Sequence, residues 1–412
     1  MLQIFGAALL AVTAWTMPQL SSQDAGWLGR IAWCVAALAL LQFVPLPAAI
    51  WEALPGRSQI ALELSMLGVD PKPALVTLLF HESLASLAWA IPAIALFIAL
   101  RRAGSGWEQQ ISLVVVGVTL VALVIGLVQF VGGPGSKAYF YEFTNRGYLV
   151  GIFANANHMA TLLLVSMPFL AAIFRLQLDE KRATSLEMSL LAALCAALIA
   201  IGIALVGSLT GYALVMPVII ASIAILFPNA RRVIAVLFAG SIALGAAIFL
   251  LSGVNENVFE KEVTSSTAGR AVLNDNTLDA ISDFFPSGTG LGTFQEVYTR
   301  YESLDQVDAT YANHAHNDYL EIILEFGLPG LLLLCVFLVW WASRARLIWS
   351  SLTSSPFAKA AVIASATLLV HSAWDYPLRT AALSSIFVLS CVLMSQARNE
   401  GRGFEYKRSS KV

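Results

Sequence analysis

Charge is scarce in this chain: only 12% of its 412 residues are Asp, Glu, Lys or Arg, against 58% that are hydrophobic. That balance excludes a soluble globule, because too little polar surface is available to cover a core of that size. Cysteine is scarce too. The four, Cys34, Cys195, Cys335 and Cys391, all lie inside apolar runs, which argues against a disulfide framework or a zinc site of spaced Cys and His ligands and leaves them as packing residues. The sequence has no low-complexity segment, no repeat of about 20–50 residues and no glycine-rich phosphate loop. No nucleotide cofactor is expected, and a net charge of −2 gives no reason to expect nucleic acid as a partner.

What the chain has is apolar length. Stretches of roughly 20 residues, enough to cross a hydrocarbon core of about 30 Å, recur near 2–18, 27–46, 80–100, 109–131, 150–174, 186–206, 209–228, 233–252, 320–342, 357–375 and 379–396. The first lacks a basic start and is followed by further spans, so a retained helix is expected rather than a cleaved signal peptide. The fold class is therefore all-α: a polytopic transmembrane helical bundle of eleven spans with one large loop carrying short helices. In linear order, eight spans with short loops fill 1–252, the large loop 253–319, the C-terminal spans 320–396 and a tail 397–412.

Lys and Arg set the orientation, since short cytoplasmic loops carry the excess. Under the alternation above, Arg101, Arg102, Arg175, Lys181, Arg182, Arg231, Arg232, Arg344, Arg346 and the basic tail share one side, which is read as cytoplasmic. The loop 253–319 holds eleven acidic residues against Lys261, Arg270 and Arg300, and falls outside the cytoplasm, in the periplasm of a Gram-negative cell. Trp27, Trp51, Trp340, Trp341 and Trp374 fall near expected helix ends, as interfacial aromatics do.

Five polar clusters map to that outer side. Asn155, Asn157 and His158 enter a helix, which reads equally as an amide-capped start or a binding site. Ser208-Leu209-Thr210-Gly211-Tyr212 joins two spans and reads as close helix packing. Arg270 stands among acids, where it either forms a salt bridge or offers its planar fork of donors to an anion; the glycines of 286–294 either expose amides to an anion or make tight turns.

The fourth cluster is the densest: His314 and His316 with Asn317, Asp318, Glu321 and Glu325, where the loop meets a span. Ionisable groups are costly beside lipid and usually functional there. From a helix start at Asp318, the three carboxylates share a face by their spacing of three and four, and Asp318 with Glu321 resembles a capping pair. Capping leaves the two imidazoles and Glu325 unexplained. A histidine can take a proton from a hydroxyl while a carboxylate holds its ring; this general-base reading is preferred to a metal site, for which no further Cys/His pattern exists. Last, His371 and Asp375 lie about one turn apart at a span that Pro377 closes, and a structural ion pair of Asp375 with Arg379 is preferred to a catalytic role.

Three of these motifs carry a family likeness: His314-x-His316-Asn317-x-x-Leu320-Glu321-x-x-x-Glu325-x-Gly327-x-x-Gly330, Gly151-x-Phe153 with Asn155 and Asn157, and His371-Ser372-x-x-Asp375-x-Pro377. From about residue 140 onward the chain resembles bacterial O-antigen ligases and Wzy-type polysaccharide polymerases. The resemblance implies a GT-C-type glycosyltransferase of the bacterial inner membrane. Such an enzyme moves a glycan from undecaprenyl diphosphate to an acceptor on the periplasmic side, without cofactor or metal. It implies His316 as the base at the acceptor hydroxyl, supported by His314 and Glu321, and Arg270 as a ligand of the leaving diphosphate. Asn317, Asp318, Glu325, His371, Asp375, Asn155 and Asn157 would support the site. The family often has an arginine after a serine in the membrane half; here Leu209 and Thr210 follow Ser208, and Arg146 or Arg379 would substitute. The expected partners are the lipid-linked donor, a glycan or lipid A-core acceptor, membrane lipid and polysaccharide assembly proteins. Polymerisation is the leading reading and ligation to lipid A-core the alternative. A transporter or flippase is the distant third, since it would place ionisable groups at the midplane of repeated halves.

Overall fold

The computed structural model describes residues 2–16, 26–69, 73–103, 106–179, 186–230, 235–241, 258–303, 311–351 and 353–397. It is almost wholly helical: α1 (Leu2–Thr16), α2 (Gly26–Leu41), α3 (Ala48–Glu52), α4 (Arg57–Met66), α5 (Phe80–Arg102), α6 (Glu108–Val131), α7 (Ala156–Asp179), α8 (Leu186–Leu205), α9 (Leu209–Leu226), α10 (235–241), α11 (Val258–Phe284), α12 (Phe294–Tyr298), α13 (Asp318–Ser350), α14 (Pro356–His371) and α15 (Ala381–Gln396). One antiparallel pair of two-residue strands, β1 (Pro45–Leu46) with β2 (Ala74–Leu75), brackets α3 and α4.

Among the described residues six helices are long and apolar enough to cross a membrane: α5, α6, α7, α8, α9 and α13. Four shorter apolar helices, α1, α2, α14 and α15, lie where spans were expected; at 1.5 Å per residue they reach only about 24 Å. Most of the expected span 233–252 lies outside the described residues, as do Lys181, Arg182, Arg231, Arg232 and the tail beyond 397. The loop 253–319 departs from expectation. Besides the short helix α12 it holds α11, of 27 residues, whose Thr277, Ala280 and Phe284 are buried at helical spacing. Trp51 departs as well: it is buried and donates to the Leu75 carbonyl at 2.9 Å, so it pins β2 and is no interfacial anchor. Cys195 and Cys391 are buried, whereas Cys34 and Cys335 are exposed and do not serve as packing residues.

The chain divides into two compact units. The second comprises residues 103–260, 342–371 and 382–412. Its centre is α7, which packs on α14, α9, α6 and α8. Met159, Ala160, Leu162, Leu163, Leu164, Val165 and Phe169 are all buried, because a helix apolar all round needs neighbours on every side. Gly202 lets α8 close on α7: a Cβ there would stand 2.7 Å from Leu123 and 3.2 Å from Leu163, the small-residue packing expected in membrane bundles.

The first unit comprises residues 1–102, 261–341 and 372–381. There α1 packs on α5, and Ala280, Phe284, Phe294, Val297, Tyr298, Ala315 and Leu324 form one core under the loop. Its central feature is a break in α13. Gly327 sits at φ 58°, ψ −143°, and the carbonyls freed there are taken by the glycine-rich turn. Thr289 N–H donates to the Leu324 carbonyl and Gly290 N–H to the Glu325 carbonyl, both at 2.9 Å, while Leu328 N–H returns to the Pro286 carbonyl at 3.0 Å. A Cβ on Gly288 would lie 2.7 Å from both Glu325 O and Gly327 N. The glycines therefore serve a close backbone approach of this turn to α13.

Candidate functional site

The first unit gathers the fourth cluster with part of the fifth. Asn317 caps α13, its Oδ1 accepting from Tyr319 N at 3.1 Å and Leu320 N at 3.2 Å. This frees Asp318 from the capping expected of it. Asp318, Glu321 and Glu325 share the inner face of the first turns and are all buried. Asp318 Oδ2 accepts from Ser372 Oγ at 2.7 Å and from Leu378 N at 3.3 Å. Glu325 Oε1 accepts from Gly292 N at 2.7 Å.

Arg379, on the 3-10 turn Pro377–Arg379, faces all three carboxylates. It grips Glu325 with both terminal nitrogens, at 3.1 and 2.8 Å, and lies 3.3 Å from Glu321 and 3.8 Å from Asp318. Burial alone would lower the guanidinium pKa, but the Glu321, Glu325 and Asp318 charges outweigh it and hold it above its ordinary value. Two expectations are corrected here. Arg379 is not free for a diphosphate, because three buried carboxylates already surround it. Its ion pair is with α13 and not with Asp375.

Asp375 instead faces His316. It is fully buried, accepts from its neighbour Tyr376 N at 2.9 Å, and sets Oδ1 3.2 Å from His316 Nδ1, within ion-pair reach although the ring N–H is not aligned for a hydrogen bond. His314 forms a parallel pair, Nδ1 to Glu321 Oε1 at 2.8 Å. Between the two histidines Ala315 is buried, its N–H donating to Glu321 Oε2 at 3.0 Å. Both imidazole rings stay about a quarter exposed, 28% for His314 and 25% for His316. In each, the edge turned to protein is Nδ1, so Nε2 is the nitrogen left to exchange a proton. His316 also carries an unusual backbone, with φ +50°, the left-handed region.

The other candidates sit elsewhere. Arg270 lies partly exposed on α11, with no ion pair seen among the described residues. In the second unit, Arg146 is exposed, its guanidinium 5.5 Å from the Tyr139 ring centroid. Asn155 caps α7, its Oδ1 taking Asn157 N at 2.8 Å. Asn157 Oδ1 accepts from Ser208 Oγ at 2.7 Å, and Ser208 Oγ accepts from Gly211 N at the start of α9. His371 Nδ1 meets Thr161 Oγ1 at 2.5 Å. Caps and interhelical bonds thus describe Asn155, Asn157, Ser208 and His371. Gln42 went unnoticed in the sequence: its amide donates to the Glu325 carbonyl and accepts from Leu291 N. Nothing local marks it, since 283 residues separate it from Glu325. Among the described residues no group of three His, Cys, Asp or Glu is placed to hold a metal.

Residues 191–335 match the family model described as O-antigen ligase. The matched stretch includes Arg270, both site histidines and the three carboxylates of α13, and ends before the segment of Asp375 and Arg379. Members of that family are glycosyltransferase-like ligases and polymerases, the match spans about a third of this chain, and the six long apolar helices fit a membrane protein. No curated protein matches the chain.

Proposed function

We propose that this protein transfers a glycan from undecaprenyl diphosphate to a sugar hydroxyl at the periplasmic face of the bacterial inner membrane, polymerising a surface polysaccharide. The observation that carries the reading is the pair of partly exposed imidazoles at the head of an apolar helix, each with Nδ1 against a buried carboxylate. His316 Nε2 takes the acceptor proton as the acceptor oxygen bonds to the anomeric carbon. The bond from that carbon to the phosphate oxygen breaks, its electron pair leaves with the diphosphate, and the anomeric centre inverts. Asp375 holds the His316 ring and takes up the charge that forms on it; His314 with Glu321 supports the same face. Arg270 remains the cation for the diphosphate, a good leaving group once neutralised. Such a single displacement needs a base and a charge-neutralised leaving group, and calls on no metal. Arg379 is assigned to holding the carboxylates together.

The family description, O-antigen ligase, favours a second reading in which the acceptor is lipid A-core. Deleting the gene separates the two. Loss of long chains with single repeats retained on lipid A-core indicates a polymerase; long chains left on the lipid carrier indicate a ligase. Reconstituted transfer from undecaprenyl-diphosphate glycan tests the chemistry, and a His316→Ala protein that turns over like the parent would remove the base from this site.

A further inference from the structure

We propose that Tyr376 is a positioning residue that locks the two histidine–carboxylate pairs into one working geometry. The inference deepens the proposed function and rests on the reading of His316 as the base. The Tyr376 ring packs against both imidazoles, its centroid 4.4 Å from that of His314 at a 41° tilt and 4.8 Å from that of His316, edge to face at 79°. Its backbone N–H donates to Asp375 Oδ1, the oxygen that faces His316 Nδ1, and its hydroxyl lies 3.4 Å from Asn313 Nδ2 in the histidine segment. One residue thus holds the carboxylate through its main chain and both rings through its side chain.

Such a contact is needed here. A left-handed backbone at a non-glycine residue persists only where its surroundings over-determine it, and His316 has that conformation at +50°. Ala315 and Asn317 fix the main chain on either side, through bonds that leave the imidazole plane to other contacts. The Asp375 carboxylate is within 3.2 Å of Nδ1 without an aligned hydrogen bond, so it does not define the ring plane alone. The edge-to-face contact with Tyr376 supplies that constraint, an arrangement aromatic rings favour. The ring, rather than the hydroxyl, is therefore the working part.

The test uses the full-length protein with Tyr376→Phe, Tyr376→Leu and Tyr376→Met, the last refilling the space with a flexible apolar chain that has no plane. Transfer from the lipid-linked donor is followed as kcat and KM separately, and the modification of His314 and His316 by diethyl pyrocarbonate is followed by mass spectrometry in membranes, which needs no turnover. Tyr376→Phe should behave as the parent. Tyr376→Leu and Tyr376→Met should lose kcat by about 10²-fold, the cost of misplacing a reacting group by about 1 Å, with donor KM little changed and both histidines modified faster. Parent-like kcat and modification rates in Leu and Met, or equal loss in Phe, overturn the proposal. His316→Ala serves as the separate control: if it is active, the base assignment fails; if it is inactive while Tyr376→Leu turns over normally, only the positioning role fails.

Discussion

A buried carboxylate beside lipid must be neutralised or hydrogen-bonded, and at the head of α13 three of them face one guanidinium. Removing that cation leaves charges uncompensated, which for a buried ion pair costs about 3–5 kcal/mol. Arg379→Gln should therefore lower the amount of folded protein recovered from membranes, whereas Arg270→Lys, on a partly exposed helix surface, should leave abundance unchanged and lower transfer by removing the bidentate fork. Equal abundance of Arg379→Gln and the parent by immunoblot would contradict the structural role given to Arg379. Normal glycan chains in both Arg270→Lys and Arg270→Ala cells would remove Arg270 from the diphosphate site. Asp375→Asn keeps shape but loses the charge facing His316, and should cost transfer about 10²–10⁴-fold, the range associated with general-base function, at unchanged membrane abundance. A parent-like rate in reconstituted transfer would detach Asp375 from the proposed base.

At the scale of the element, the break in α13 is held from both sides. Gly327 has a backbone that essentially only glycine adopts, and a side chain there would collide with the Pro286 carbonyl. Gly327→Ala should therefore lose about 1–3 kcal/mol to backbone strain alone and more to the collision, lowering the thermal midpoint in detergent. Gly117→Ala is the contrast: in the middle of α6, with no atom within 4 Å of the added Cβ, it should be neutral or stabilising by about 0.5–1 kcal/mol. Similar midpoints for the two would mean that the break is not under the constraint described. Several elements were legible in the sequence for a physical reason. The helix start at Asp318 announces itself through an Asn followed by carboxylates at three and four. The apolar runs of α5 to α9 exceed any soluble strand or loop in length. α11 was legible and overlooked: Leu273, Thr277, Ala280 and Phe284 keep helical spacing, but the polar residues between them hide it from a reading tuned to hydropathy. The break at Gly327 was not legible, because its partners lie in a turn some forty residues earlier, and neither was Gln42, whose role exists only in the folded unit.

At the scale of the whole molecule, two features read from sequence meet different tests. The histidine–carboxylate cluster draws on 314–325 and 372–379, segments whose spacing in sequence says nothing about which carboxylate meets which cation; that pairing is set by tertiary structure, and Asp375 and Arg379 exchanged their expected partners for that reason. Orientation rests on the distribution of cations, which under the expected alternation of spans puts sixteen Lys and Arg on one side and eight on the other, a bias that sets topology through short loops. The proposed chemistry depends on it, since a lipid-linked donor assembled for export must meet His316 outside the cytoplasm. Single cysteines at Ser303, in the loop that leads to His314, and at Ser409, in the basic tail, probe the two sides. Cys34 and Cys335 are exposed and are first changed to alanine so that they do not report. An impermeant thiol reagent applied to cells with a permeable outer membrane should then label Ser303→Cys and spare Ser409→Cys until the inner membrane is opened. Labelling of Ser409→Cys but not of Ser303→Cys would invert the orientation, put His314 and His316 on the cytoplasmic face, and leave periplasmic transfer at this site without a route.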